Sequence, residues 1–330
     1  MSAPASAQFR AAYDTLTTGC GGVGIANCSV VTLAGSERAK FLHNMCTNDI
    51  NRLSPGEGCE AFCTDVKGKI VAHLIVLVLE DHLELLAAAQ QSAQIIAHLD
   101  RYVIREDVVL QDVTDQNFWA LFSGPKSAEV IGRSAGIDLA KLTRPWQSAP
   151  CCWDNQDVVV VRAGLLWPES YLVRYSHGAV EESLPAGCAL VRDEAAWNAL
   201  RIESSLPLFE TDFTSSHLPQ EIARNDLAIS FNKGCYLGQE TIARIDAMGH
   251  VNKQVCTLRF AESDVPELGT SLSAGGHEVG QITSASWSPH YNGPLALAMI
   301  RRGSNRIGCE LESEVGRATV IDQSLVAHDR

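Results

Sequence analysis

The chain has 330 residues, of which 46% are hydrophobic and 20% charged, with a formal net charge of −13. That length suits two or three domains with substantial cores, and the composition is that of an ordinary globular protein. The acidic balance argues against direct tRNA or DNA binding, which needs clustered Lys and Arg, and the densest basic cluster, Arg301, Arg302 and Arg306, is too small to reverse it.

In chain order, the opening MSAPASAQFRAAYD carries no apolar signal-peptide core. No stretch reaches membrane-spanning length without charge, so a cytoplasmic location is the expectation. CGGVGIANC (20–28) lacks dinucleotide-binding spacing and reads as a loop leading into the strand CSVVTLAG (28–35). Ser36 offers a cap for a helix that places Ala39, Leu42 and Met45 on one face. Lys67-Gly68-Lys69 reads as a solvated turn before the strand KIVAHLIVLVLE, and HLELLAAA pairs back to it across Glu80-Asp81. QSAQIIAHLDRYV is an amphipathic helix with Ile95, Ile96, Leu99 and Val103 as its stripe. DVVLQDVT and FWALFSG supply two more strands, followed by a short helix from Lys126. The strands DVVVVRAG and SYLVRYS come next, with helices predicted near 178–185 and over 193–204. Strand–helix units of this length, mixed with hairpins, indicate an α+β core over residues 1–245. Beyond Met248 the short strands VCTLRF, SLSAGGHEVGQITSASWS, PLALAMIRR and ELESEVGRATVID, with close-set turns, indicate a small β-barrel over 246–330.

The eleven cysteines include no C-x-x-C pair, and an odd count of scattered thiols fits a reducing compartment with no stably bound metal. His43, His73 and His98 lie within predicted elements, where histidines are more often satisfied structural residues than ligands. Trp197 lies on a predicted helix and is either core or a stacking platform for a flat heterocycle. The segment ISFNKGCYLGQETIAR (229–244) raises the sharpest question. Gly234 and Gly238 bracket Cys235 and Tyr236 where the backbone must turn or be approached closely, and a helix is predicted from Gln239, with Glu240 four residues before Arg244. A thiol beside Lys233 and a helix N-terminus would be a favoured thiolate. On local physics alone, Cys235 as a small buried hydrophobe is the commoner case.

That segment resembles the K-G-C-Y-x-G-Q-E signature of the YgfZ/Iba57 proteins, folate-binding relatives of the glycine-cleavage aminomethyltransferases. VTLAGSERAKFLHNMCTNDI, CTDVKGKIVAHLIVL, HLDRYVIREDVVLQDVT, WNALRIESSLP and VGQITSASWSP extend the resemblance over nearly the whole chain. It implies two interwoven α+β subdomains and a C-terminal β-barrel around a folate-sized opening. It further implies a monomer that binds tetrahydrofolate or a derivative and assists iron–sulfur cluster assembly or maintenance in client enzymes, some of them tRNA-modifying. Cys235 would be the functional thiol, with Lys233, Gln239, Glu240 and Arg244 around it, and Trp197, Cys28 and Tyr236 would face the folate. Aminomethyltransferases use a carboxylate on the strand after the Gly turn, whereas Ile70-Val71-Ala72-His73-Leu74 contains no acid. Trp197 replaces their helix arginine, and Cys28 stands where some YgfZ-type members carry a second tryptophan. A true aminomethyltransferase and a ligand-free protein-binding scaffold are the competing readings.

Overall fold

The structure is a computed structural model that describes residues 6–25, 28–166, 169–175, 184–262 and 264–322. The first half contains α1 (Ala7–Thr18), β1 (Gly21–Ile25), β2 (Cys28–Ala34), α2 (Arg38–Met45), β3 (Gly58–Thr64), β4 (Ile70–Val78), β5 (His82–Ala89), α3 (Ser92–Asp100) and β6 (Val109–Asp112). The second contains β7 (Phe118–Ser123), α4 (Ser127–Ala135), β8 (Ser148–Trp153), β9 (Gln156–Ala163), β10 (Ser170–Tyr175), β11 (Ala189–Leu190), α5 (Glu194–Glu203), α6 (Asn225–Ala228) and α7 (Gln239–Met248). The remainder forms β12 (Lys253–Phe260), β13 (Ser271–Ala274), β14 (His277–Ser288), β15 (Gly293–Arg301), β16 (Glu310–Ser313) and β17 (Gly316–Ile321).

Strands β3-β4-β5-β2-β6 make one antiparallel sheet, and β11-β1-β7-β10-β9-β8 make a second, antiparallel except where β1 runs parallel to β11. Because β1 joins the second sheet while β2 joins the first, the two halves are interwoven. Strands β12 to β17 close into a barrel. The β4–β5 hairpin pairs as its apolar pattern predicts, with Val78 opposite Leu83. Ile95 and Leu99 of α3 are buried against the outer face of the first sheet, while Ile96 and Val103 are only partly so. A separate apolar cluster fills the space between the sheets, drawing Leu77 and Leu86 from the first, Trp119 and Leu172 from the second, and Leu16 and Leu200 from α1 and α5.

Two sequence expectations are corrected. Residues 21–25 form a strand, not a loop: β1 pairs with β7, from Gly21 opposite Ser123 to Ile25 opposite Trp119. Glycine is needed there because a Cβ on Gly21 would lie 2.8 Å from the Leu16 side chain, and one on Gly22 would lie 2.9 Å from Phe122. Ser36 does not cap α2. Its hydroxyl donates to Asp107 at 2.7 Å, and α2 starts after Glu37 with no side-chain cap. The helix predicted near 178–185 falls mostly outside the described residues, and Leu184 and Pro185 are not helical.

Buried polar ties fasten α5 to the barrel. The Arg201 guanidinium donates to Asp212 at 2.9 Å, to the Ser284 hydroxyl at 2.6 Å and to Asn198 at 2.6 Å. Ser284 and Thr283 in turn donate to the other Asp212 oxygen at 2.6 and 2.7 Å. Two residues on, Glu203 accepts from Tyr13 at 2.6 Å and from Ser288. With every charge partnered, the network fixes the orientation of the helix that carries Trp197.

Candidate functional site

The signature segment is built from two interlocked turns. Asp65 closes the first by accepting the amides of Lys67 and Lys69, both at 2.8 Å. Gly238 begins α7 in the left-handed region at φ 83°, and a Cβ there would sit 2.4 Å from the Asp65 carbonyl. Gly68, also left-handed at φ 75°, packs against Gly238 and Thr241. Both glycines are therefore required by conformation and by space. Thr64 donates to the Leu237 carbonyl at 2.6 Å, and the Leu237 amide donates to Asn44 at 2.9 Å. The Lys67–Lys69 turn is thus clamped to the signature segment, and Lys69 reaches the Ser216 carbonyl at 2.6 Å. Gly234 is different. It has no positive φ, and a Cβ there would make only an ordinary 3.9 Å contact with His43 Nε2, so the expected sharp bend is absent.

Cys235 is exposed, which removes the buried-hydrophobe reading. The Lys233 ammonium is committed to backbone oxygens. The Lys233 ammonium is buried and donates to the carbonyls of Cys46 and Asn48, both at 2.8 Å, and of His43. Three N–H donors thus meet three carbonyl oxygens at and just beyond the C-terminal end of α2, the end that attracts a cation. Burial pulls the Lys233 pKa down, opposed by the nearby Cys46 and Asp49. The ammonium also lies 4.9 Å from the Tyr236 ring centroid. Tyr236 is buried with Phe62, Phe213 and Ile242, away from the cavity that Trp197 lines, so its predicted role as a ligand contact is not met. Gln239 opens α7 half-buried. Glu240 and Arg244 are both exposed, and no ion pair joins them, against the helical spacing expectation. Beneath this segment His43 Nδ1 lies 3.2 Å from Asp49, and burial, then Lys233, lower its pKa despite that carboxylate.

Trp197 and Cys28 do come together. They line a cavity of about 920 Å³ with Val23 to Ile25 of β1, Thr114, Asn117, Trp119, Arg192, Asp193 and Asn198. Asp193 caps α5 by accepting the Ala196 amide at 3.0 Å, which fixes the first turn of the helix bearing Trp197. Among the described residues the buried Trp119 indole N–H has no hydrogen-bond partner. The Cys28 thiol is pushed up to about 12 by burial and so stays protonated. Cys235 does not line this cavity. The thiol and the aromatic pocket are two separate places.

Sequence reasoning missed a buried ionic group on the first sheet. Glu60 of β3, which has no exposed side-chain surface, accepts from His73 Nε2 of β4 at 2.8 Å and from Arg224 through Nε and Nη2, the latter at 2.6 Å. Burial raises its pKa, but Arg224 and then His73 outweigh it, holding the carboxyl well below the usual carboxylate range. The available signal was a lone acid inside the apolar run GCEAFCT. Among the described residues no group of three His, Cys, Asp or Glu side chains is arranged to hold a metal ion.

Two interwoven α+β halves closed by a six-stranded barrel, with an aromatic-walled cavity, define the aminomethyltransferase class of fold. The backbone superimposes on glycine cleavage system aminomethyltransferase T of Bartonella henselae with a TM-score of 0.85, at 19% identity, over 95% of this chain and 88% of that one. Residues 3–171 match the GCVT N-terminal domain and residues 253–327 the glycine cleavage T-protein C-terminal barrel domain. The chain therefore belongs to the glycine-cleavage T-protein family. Its relatives include the chloroplastic protein At1g60990 of Arabidopsis thaliana, named as a transferase, at 26% identity over 90% of this chain and 69% of that protein. An aminomethyltransferase of Geobacillus kaustophilus is 25% identical over 93% and 86% of the two chains.

Proposed function

We propose that the protein is a YgfZ-type member of this family: it binds tetrahydrofolate or a derivative in the Trp197 cavity and assists iron–sulfur cluster assembly or maintenance through Cys235. The observation that carries the reading is an exposed thiol on a doubly clamped turn, separate from the aromatic pocket. The pocket suits a folate. Its volume of about 920 Å³ lies within the range of small-molecule sites. Trp197 offers a flat face, Asn117, Asn198 and Thr114 offer donors and acceptors for a pterin edge, and the Trp119 N–H lacks a partner among the described residues. When bound, the folate would supply one-carbon carrier chemistry. The chain's own residues bind and orient it. The absence of an acid in Ile70–Leu74 and the exposed thiol favour this reading over aminomethyl transfer, which rests on the names of the relatives.

Two measurements test it. Calorimetric titration with tetrahydrofolate should saturate at one site, and transfer from aminomethyl-lipoyl protein should be absent. In cells lacking the gene, the wild-type chain should restore iron–sulfur enzyme activity and Cys235→Ser should not. Robust aminomethyl transfer, or full restoration by the serine variant, would overturn the assignment.

A further inference from the structure

Two thiols meet at an edge of the second sheet. β11 runs parallel to β1 with Gly21 opposite Ala189, so Cys20 and Cys188, one residue earlier on each segment, stand opposite each other. The Ala189 amide donates to the Cys20 carbonyl at 3.1 Å, which holds that register. Neighbouring strands run about 4.8 Å apart, inside the ~4.4–6.8 Å Cα separation that a disulfide spans. Opposed residues of a parallel pair project to the same face. Both side chains accordingly pack on the cluster that holds Phe122 and Tyr175, Cys20 buried and Cys188 partly exposed. The two thiols hydrogen-bond to each other.

The contact divides the roles of the pair. The bond from Cys188 lowers the Cys20 pKa and raises that of Cys188, so Cys20 is the first to ionise and Cys188 keeps its proton. The Tyr175 hydroxyl is buried with no hydrogen-bond partner among the described residues. Burial, then Cys188, Cys151 and Cys20, raise its pKa, so it stays a proton donor near the pair. Cys151 is engaged elsewhere, donating to the Val158 carbonyl at 3.6 Å. A covalent bond here would have a mechanical effect. β11 is a two-residue edge strand, joined to β1 by two register pairs. Val23–Ile25, just beyond Cys20, and Leu190–Asp193, just beyond Cys188, both line the Trp197 cavity. Two thiols packed as small hydrophobes would fill the cluster, but only their bond ties those two walls together.

We propose that Cys20 and Cys188 form a peroxide-responsive dithiol site whose disulfide locks β11 to β1. The Cys20 thiolate attacks one oxygen of hydrogen peroxide and the O–O bond breaks. This leaves a sulfenic acid on Cys20 and a hydroxide that takes up a proton and departs as water. The Cys188 sulfur then attacks the Cys20 sulfur, the S–O bond breaks, and a second water leaves with the Cys188 proton. The thiols lose two electrons and the peroxide gains them. The test treats the folded wild type, Cys20→Ser and Cys188→Ser with hydrogen peroxide, blocks the remaining thiols and maps peptides without reductant. The wild type should yield a Cys20–Cys188 linked peptide that dithiothreitol abolishes, and neither variant should. Cys188→Ser should stop at the Cys20 sulfenic acid, which dimedone traps. Amide exchange at Ala189 and Val191, which bond to the Cys20 and Gly22 carbonyls, should slow severalfold on oxidation and recover on reduction. The proposal is overturned by the absence of the linked peptide at a peroxide dose that has already oxidised the exposed Cys235, or by linkage of Cys188 to another cysteine. A bond that forms yet leaves both amides exchanging at the reduced rate overturns the lock. Should Cys20→Ser not fold, the wild type and Cys188→Ser decide on the same readouts.

Discussion

The signature turn and the Trp197 cavity solve opposite problems. Around Cys235 nearly every polar group is committed to backbone: Lys233 to three carbonyls, Thr64 to Leu237, Asp65 to two amides. The turn is a rigid mount that leaves one thiol outside. Around Trp197 the wall retains uncommitted capacity, including the Trp119 N–H, and its pieces come from β1, the β6–β7 connection and α5. The difference teaches that a dense motif need not be a dense active site. Its residue types can be required by folding, while the group that meets a ligand lies elsewhere.

Breaking the ionic support of the first sheet should have the largest effect. Glu60→Gln leaves Arg224 buried without its counter-charge, which should cost about 3–5 kcal/mol in denaturant unfolding. It should also change the pH dependence. Because the folded Glu60 pKa lies below its ordinary 4.5, its contribution is present above that pH and lost as pH falls toward the folded value. The wild type should therefore lose stability on acidification below about pH 4.5 more steeply than Glu60→Gln does. Equal slopes would place the pair outside the stability account.

Next in size, Lys233→Met should cost about 2–4 kcal/mol, because buried carbonyls at the end of α2 lose a charged donor. Yet the alkylation rate of Cys235 in the native fraction should barely move. A large drop in that rate would restore Lys233 as an activator of the thiol. Cys152 and Cys235 are the exposed cysteines, so native labelling should find two fast thiols in the wild type and one in Cys235→Ser. The serine change itself should alter stability by less than about 0.5 kcal/mol, as surface substitutions do. A much larger loss would mean that the thiol is packed.

Much of the architecture was legible because it is local. The β4–β5 hairpin, the α3 stripe at Ile95 and Leu99 and the barrel strands follow from apolar periodicity and turn residues. What escaped depends on distant partners. β1 reads as a loop because glycines suit loops, and only the approach of Leu16 and Phe122 explains them in a strand. In α1 the buried residues Phe9, Tyr13 and Leu16 are diluted by Ala, Gln and Thr, so no strong stripe marks the helix. The pairing of Trp197 with Cys28 could be read through the family resemblance, whereas the Lys233 contacts and the Glu60–His73–Arg224 group could not. Those need to know that residues 46 and 233, or 60 and 224, meet in space.

The separation of pocket and thiol is tested most directly by titrating tetrahydrofolate into Trp197→Ala and Cys235→Ser side by side. Loss of stacking on Trp197 should weaken binding by about 1–3 kcal/mol, the range for a flat ring on an aromatic face. Cys235→Ser should bind as the wild type does. Equal weakening in both variants, or full affinity in Trp197→Ala, would contradict the account.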